Sequence, residues 1–156
     1  KFYIITQPLS YIIENIGMKN KSLTELLDIK YPIIMAPMFL VTNTSMMIEA
    51  LNSGIAACIP ALNFRTDYEL KSAIQKIRAN TTSKGLGVNL IVNQSNVKLQ
   101  GQLKTCIEME VDFIITSLGN PKKVIELSKK NGIKIFCDVI EEKAKLNKNT
   151  TIRITK

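Results

Sequence analysis

The amino-acid sequence predicts an α/β fold in which parallel strands alternate with single helices. Short apolar runs of strand length recur along the 156 residues, and segments with a helical spacing of apolar residues separate them. Capping residues and glycines mark the ends of those helical segments. Strands separated by single helices pair in parallel through right-handed crossovers, so we expect one sheet with helices packed against it.

The first predicted elements are a short helix and a buried strand. Residues 22–25, Ser-Leu-Thr-Glu, have the spacing of a capping box, which predicts a helix through Leu27. Residues 31–38 are apolar at nearly every position, which is typical of a strand buried on both faces. Pro32 and Pro37 lie near the ends of this strand, where proline is tolerated.

Four more pairs of a helix and a strand are predicted after this strand. Three of these helices begin at cap residues or at a capping box, and glycines close two of them. In chain order these elements are a helix from residues 42–44 to Gly54, a strand at 55–59, a helix behind a capping box at 66–69, a strand at 87–92, a helix at 97–109, a strand at 113–116, a helix from Asn120 and Pro121 to Gly132, and a strand at 133–139. From residue 140 the sequence becomes polar and basic, and no sixth buried strand is predicted.

The net charge of +8 raises the question of a nucleic-acid partner, and its distribution argues against one. From Leu118 onward the chain has ten basic and four acidic residues, so this segment supplies +6 of the +8. Part of the charge lies on the solvated face of a helix, and part lies in a polar tail that has no aromatic residue for base stacking. We therefore expect no nucleic-acid partner.

Membrane insertion and metal binding are not expected either. The longest apolar run, residues 55–62, is far too short to span a bilayer and contains Pro60. Cys58, Cys106 and Cys137 form no CxxC pair, and the chain has no histidine to complete a zinc site. We interpret the three cysteines as reduced core thiols of a cytoplasmic protein.

Three segments together resemble the nitronate monooxygenase family, formerly called 2-nitropropane dioxygenases, and the related flavin-dependent enoyl-acyl-carrier-protein reductases. They are residues 26–38 at the first strand, residues 87–90 (Gly-Val-Asn-Leu) at the third and residues 115–121 at the fourth. The resemblance implies a (β/α)₈, or TIM, barrel that carries FMN at the carboxyl ends of its strands. This chain would supply a partial TIM barrel, about the first five strands with their crossover helices.

The resemblance also implies cofactor-binding residues. Ala36, Pro37 and Met38 match the turn after the first strand, which lies against the flavin ring in the family. Asn89 matches an asparagine that hydrogen-bonds the flavin, and an amide side chain can both donate to and accept from the flavin edge. Judged from the residue alone, satisfying a neighbouring strand end is the commoner role for such an asparagine.

Thr116, Ser117 and Asp138 are further candidates for cofactor binding because they lie at the ends of predicted strands. The two hydroxyls either line the same pocket as Asn89 or cap the following loop. The Asp138 carboxylate is either a pocket residue or a helix cap.

Two features of the family have no match in this sequence. The family's catalytic histidine follows its sixth strand, and its glycine-rich phosphate loops follow the seventh and eighth, whereas this chain has no histidine and its seven glycines do not cluster. We therefore expect no catalytic residue and an impaired or inactive product of a truncated or frame-disrupted gene. The expected organisation is a non-homologous leader at 1–17, the N-terminal half of a barrel at 18–140 and a polar basic tail at 141–156.

The function implied by the resemblance is FMN-dependent oxidation of an alkyl nitronate by O2, which yields a carbonyl compound and nitrite. The alternatives are reduction of an enoyl thioester with a nicotinamide donor, and a non-catalytic fragment or interaction module. In the reductases the first-strand turn usually carries glycine where this chain has Ala36 and Pro37, which favours the monooxygenase. The expected partners are the small-molecule substrate and O2, with self-association through exposed barrel edges as a further expectation.

Overall fold

The computed structural model describes residues 21–138 and a short strand at 152–154. Its strands are Ile34–Met35 (β1), Ala56–Pro60 (β2), Leu86–Ile91 (β3), Phe113–Ser117 (β4), Lys134–Asp138 (β5) and Ile152–Ile154 (β6). Its helices are Leu23–Leu27 (α1), Thr44–Asn52 (α2), Asp67–Ala79 (α3), Leu99–Glu108 (α4) and Lys122–Lys129 (α5), with a 3₁₀ turn at Ala61–Asn63.

The strands form one parallel sheet in the order β1-β2-β3-β4-β5-β6. Each strand lies beside the next one in the chain, so every crossover moves in the same direction along the sheet. That progression is the topology of a (β/α) barrel, whereas a doubly wound sheet reverses its strand order at a switch point. The first five strands form a curled half-barrel, which confirms the predicted fold class.

Two separate apolar cores lie on the two faces of the sheet. The larger core joins the outer face of the strands to helices α2 to α5. The smaller core lies on the inner face and includes side chains of α1. Because side chains alternate between the faces of a strand, Ile114 belongs to the outer core while its neighbours Phe113 and Ile115 belong to the inner one.

The first strand is much shorter than the predicted 31–38. Tyr31 and Ile33 are exposed, and the amide of Ile33 donates to the carbonyl of Tyr31 at 2.8 Å, which closes a tight turn before β1 begins. Beyond β1, Pro37 has no N–H to donate, and the amide of Met38 donates to Thr42 Oγ1 at 2.9 Å. The apolar residues therefore continue into a turn rather than extending the strand.

The predicted helix starts are confirmed at α1, α2 and α3, whereas α4 begins at Leu99, two residues later than predicted. The capping box of α1 is complete, and the hydrogen bonds from the backbone and side chain of Ser22 lower the pKa of Glu25. At α3, Thr66 Oγ1 accepts from the Glu69 amide at 3.1 Å, but the Glu69 carboxylate accepts from the amide of Arg65 instead of closing the box. At α5, Pro121 occupies the cap position itself.

The end of the described chain differs from the expectation of five strands. Strand β6 pairs in parallel with β5 through the register Phe136 with Ile152 and Asp138 with Ile154. Two β-branched isoleucines at alternating positions favour an extended backbone, even in a segment that is otherwise polar. The proposed boundaries at 17/18 and 140/141 lie outside the described residues. Among the described residues, no helix combines the length and hydropathy needed to cross a membrane.

Candidate functional site

Three of the predicted site residues share the inner face of the sheet at the carboxyl ends of the strands. Ser117 follows the inner-core residues Phe113 and Ile115 at alternate positions of β4. Asn89 lies beside Ile115 in the register of β3 with β4. Asp138 follows the inner-core Phe136 by two positions on β5. The alternation of strand residues therefore directs all three side chains toward the interior of the half-barrel.

Asn89 and Ser117 are in direct contact. The Nδ2 group of Asn89 donates to the carbonyl of Ile115 at 3.0 Å and to Ser117 Oγ at 2.9 Å. Since a carbonyl can only accept, the first bond fixes which end of the amide carries the NH2 group. The Oδ1 atom of Asn89 accepts no hydrogen bond from the described residues, although the residue is only 7% exposed. The site therefore contains a positioned acceptor that is free for a ligand.

The turn formed by Ala36, Pro37 and Met38 follows β1 on the same rim. All three residues are half-buried. The turn is closed by the bond from the Met38 amide to Thr42 and by a return bond from the Thr42 amide to the Met38 carbonyl, both 2.9 Å long. The turn is therefore fixed by the protein and keeps part of its apolar surface accessible.

Asn63 holds this turn from the neighbouring strand, and sequence reasoning missed it. Its Oδ1 accepts from the amide of Leu40 at 2.9 Å, and its Nδ2 donates to the carbonyl of Thr42 at 2.9 Å. Asn63 lies in the 3₁₀ turn that follows β2. A lone asparagine after a predicted strand is too common a feature to reveal this contact in the sequence.

Thr116 lies on the opposite face of the sheet from Asn89 and Ser117. Its hydroxyl is buried and donates toward the carbonyl of Phe136 at 3.4 Å and Cys137 Sγ at 3.3 Å. Cys137 belongs to the outer core under the helices. The structure thus separates Thr116 from the other predicted site residues, because adjacent residues of a strand face opposite ways.

Asp138 ends β5 half-buried, and its carboxylate has no hydrogen bond or ion pair with the described residues. It lies one position beyond the last pair of the β4–β5 register, Thr116 with Cys137. This position places it on the same rim as Ser117. The residues that follow it, which would decide between a pocket role and a helix cap, lie outside the described residues.

The predicted core thiols are confirmed by the structure. Cys58, Cys106 and Cys137 are all buried and form no disulfide. Burial raises the pKa of Cys58 and raises that of Cys106 to about 12, so both stay protonated and weakly nucleophilic near neutral pH. Within residues 21–138 there is no group of three or more His, Cys, Asp and Glu side chains that could hold a metal ion.

A cavity of about 380 Å³ lies at the other, amino-terminal end of the strands. Two of its charged groups have partners: Asp112 Oδ2 accepts from the Leu86 amide at 2.8 Å and from Arg78 at 3.0 Å, and Lys134 Nζ donates to the Gly132 carbonyl at 3.3 Å. None of the predicted site residues lines this cavity. We therefore assign the candidate site to the carboxyl-terminal rim, which brings Asn89, Ser117 and Asp138 to one face of the sheet.

Comparison with known proteins supports the barrel-type fold described above. No family model matches the chain. A curated protein named probable nitronate monooxygenase, from Staphylococcus haemolyticus, is 41% identical over 73 residues, which is 47% of this chain and 20% of the relative. The structures of FabK from Thermotoga maritima and of its M276A mutant both superimpose with a TM-score of 0.70.

The two FabK structures are 28% and 29% identical to this chain, and they match 80% and 79% of it. The match covers only 39% and 40% of the FabK chains, so this chain spans less than half the length of the proteins it resembles. This partial coverage is consistent with the curled half-barrel that the first five strands of this chain form. The resemblance predicted from the three sequence segments is confirmed: this chain is similar to the N-terminal half of the barrel shared by nitronate monooxygenase and FabK.

Proposed function

We propose that this chain carries the flavin-binding first half of an FMN-dependent oxidoreductase of nitronate monooxygenase type. The observation that carries the proposal is the Asn89–Ser117 pair, with a free amide oxygen at the carboxyl end of a barrel strand. Barrel enzymes place their active sites at that end. The curated relative named nitronate monooxygenase and the similarity to FabK support a flavin cofactor.

The residues present fit the ring of a flavin. One edge of the isoalloxazine offers an N–H donor between two carbonyl acceptors, which suits the free Oδ1 of Asn89 and the hydroxyl proton of Ser117. The half-buried turn at Ala36, Pro37 and Met38 offers apolar surface for the face of the ring. These residues would bind and orient the ring, and the turn would exclude water from one side of it.

The chemistry supplied by a bound flavin would be electron transfer from an alkyl nitronate to O2, which yields a carbonyl compound and nitrite. Asn89 would orient the ring through a hydrogen bond to its edge, and Ser117 would fix the orientation of the Asn89 amide. The 156 residues contain no histidine to move a proton, and no described residues form a glycine-rich phosphate cradle. We therefore propose weak flavin affinity and little or no turnover for this chain alone.

The second candidate activity is reduction of an enoyl thioester with a nicotinamide donor. The similarity to FabK, an enoyl-acyl-carrier-protein reductase, favours it. The residues Ala36 and Pro37 in the first-strand turn favour the monooxygenase instead. A non-catalytic module that associates through its exposed strand edges is the third candidate, and it would bind neither substrate.

Flavin reduction without oxygen separates these three functions. The purified chain is mixed with FMN under anaerobic conditions, and loss of flavin absorbance is followed after adding ethyl nitronate or NADH. The proposal expects slow loss with the nitronate and none with NADH. Faster loss with NADH, accompanied by reduction of a crotonyl thioester, would establish the reductase. Loss with neither donor, despite saturable FMN binding, would leave a flavin-binding module without chemistry.

The cellular setting is proposed from the same residues. Three buried thiols that form no disulfide are compatible with a reducing compartment, and we propose a cytoplasmic location. The proposed partners are an alkyl nitronate, O2 and a second copy of the chain.

A further inference from the structure

The turn between β1 and α2 carries an exposed apolar tip. Phe39, Leu40 and Val41 are 59%, 74% and 56% exposed. No Asp, Glu, Lys or Arg occurs in residues 31–48, although 22% of the whole chain is charged. A segment without charge around three exposed apolar side chains is suited to an uncharged, aliphatic ligand group.

The tip is a fixed feature of the fold. Asn63 bonds to the turn at two points, the Leu40 amide within the tip and the Thr42 carbonyl just after it. The amides of Val41 and Thr42 donate to the Met38 carbonyl at 3.1 and 2.9 Å. These bonds hold the backbone of the turn in the conformation that exposes the three side chains.

Leu40 has a strained backbone conformation. Its φ is +59°, in the left-handed region that costs a non-glycine residue about 1 kcal/mol. A leucine held in that region while its side chain is exposed gains no burial that would offset the strain. Such an outlier is a reason to look for function at the tip.

The tip is continuous with the candidate flavin site. It follows Met38 directly in the chain, and β1 is separated from β3, which bears Asn89, by two strand spacings, about 10 Å. A ligand whose polar head lies over the Asn89 and Ser117 pair could therefore extend an aliphatic chain toward Phe39 and Leu40.

We propose that Phe39, Leu40 and Val41 form an apolar edge that binds the aliphatic chain of the substrate, and that Asn63 is the positioning residue that holds this edge. The inference rests on the proposed function, because it assigns a longer alkyl chain to the substrate of the same site. The edge selects for chain length, while the inner-face pair receives the polar head.

The test compares two inert substrate mimics, octanoate and propionate, whose carboxylates match a nitronate in charge and planar shape. Binding to the full chain is measured by NMR shifts of the methyl groups, with and without FMN. Since each buried methylene adds favourable transfer energy, octanoate should bind at least about tenfold more tightly than propionate. Equal affinities for the two acids would overturn the proposal.

Three variants test which residues produce the preference for octanoate. Leu40→Asn keeps a residue that tolerates positive φ but removes the apolar side chain, and should reduce the octanoate preference by about threefold or more. Asn63→Ala should reduce the same preference while propionate affinity stays unchanged. Val97→Asn is the matched control, since Val97 is 89% exposed outside the turn, and it should leave the preference intact.

Two further readouts distinguish the apolar edge from a failed flavin site and from self-association. FMN fluorescence quenching reports the flavin site, and Leu40→Asn should leave it unchanged, so a failure to bind flavin can be distinguished from a failure of the apolar edge. Light scattering reports association. If Leu40→Asn dissociates an oligomer and leaves octanoate binding unchanged, the tip is an interface between copies and the proposal is wrong.

Discussion

The inner face at the amino-terminal end of the half-barrel and the rim at its carboxyl-terminal end differ in how many of their side chains are packed or hydrogen-bonded within the protein. At the amino-terminal end, α1 covers the inner face, and Phe113 and Phe136 meet edge to face with centroids 5.3 Å apart. At the carboxyl-terminal rim, the apolar side chains of the β1–α2 turn are exposed and the Asn89 amide oxygen has no partner among the described residues. The inner face at the amino-terminal end is packed for stability, whereas the carboxyl-terminal rim keeps groups available for a ligand.

The strongest test of this difference places the same substitution at both ends. Phe113→Ala removes a fully buried ring and should lower the free energy of unfolding by about 3–5 kcal/mol. Phe39→Ala removes an exposed ring from the rim and should cost no more than about 0.5 kcal/mol. Urea unfolding followed by circular dichroism measures both values. Similar losses for the two variants would contradict the comparison.

Substitution of a buried glycine should give the next largest loss of stability. A Cβ at Gly87 would overlap the ring of Phe113, so Gly87→Ala forces that ring to move and should cost about 3 kcal/mol. Gly132→Ala is the control: its Cβ meets no atom within 4 Å, and only its φ of +72° is unfavourable, at about 1 kcal/mol. Thermal and urea unfolding should rank the two variants in this order. The proposed packing is wrong if Gly87→Ala is the milder change.

Two aspartates provide an intermediate test. Asp112 accepts from the Leu86 amide and from Arg78, so Asp112→Ala leaves both donors unpaired and should cost about 2 kcal/mol. Asp138 has no such bonds with the described residues, and Asp138→Ala should change stability by less than about 0.5 kcal/mol. Chemical unfolding of the two single variants measures both losses. Equal losses would contradict the difference in hydrogen bonding between Asp112 and Asp138.

The smallest predicted change in stability is an increase rather than a loss. Leu40→Gly relieves the left-handed strain of an exposed leucine and should raise the free energy of unfolding by up to about 1 kcal/mol. Val97→Gly, at a similarly exposed position without positive φ, should lower it slightly because glycine gains entropy in the unfolded chain. A destabilised Leu40→Gly variant would show that the tip is not strained in solution.

The sequence predicted the alternation of elements well because each element carries its own local signal. The capping residues Ser22, Asn43 and Thr66 all lie where the helices begin. The length of the first strand was overestimated, since an apolar run does not reveal that the chain turns at Pro37 and Met38. The short β6 was not expected because its signal consists of two isoleucines in a polar segment.

The site was less predictable than the fold. Asn89, predicted from the resemblance, and Ser117, predicted from its place at a strand end, lie together at one rim, but strand alternation directs Thr116 to the outer face. Asn63 acts through contacts with a neighbouring turn, and a contact between two loops leaves no periodic pattern in the sequence. The strain at Leu40 was equally hidden, because leucine is not a residue expected at positive φ.

Titration of FMN by fluorescence quenching is the decisive experiment, because the proposed function requires a flavin on the inner face at the carboxyl ends of the strands. The chain should bind FMN saturably, and Asn89→Ala should weaken binding about tenfold through the lost hydrogen bond. Thr116→Val, one strand away but on the outer face, should leave the affinity unchanged. No saturable quenching, or equal losses in the two variants, would contradict this placement of the flavin.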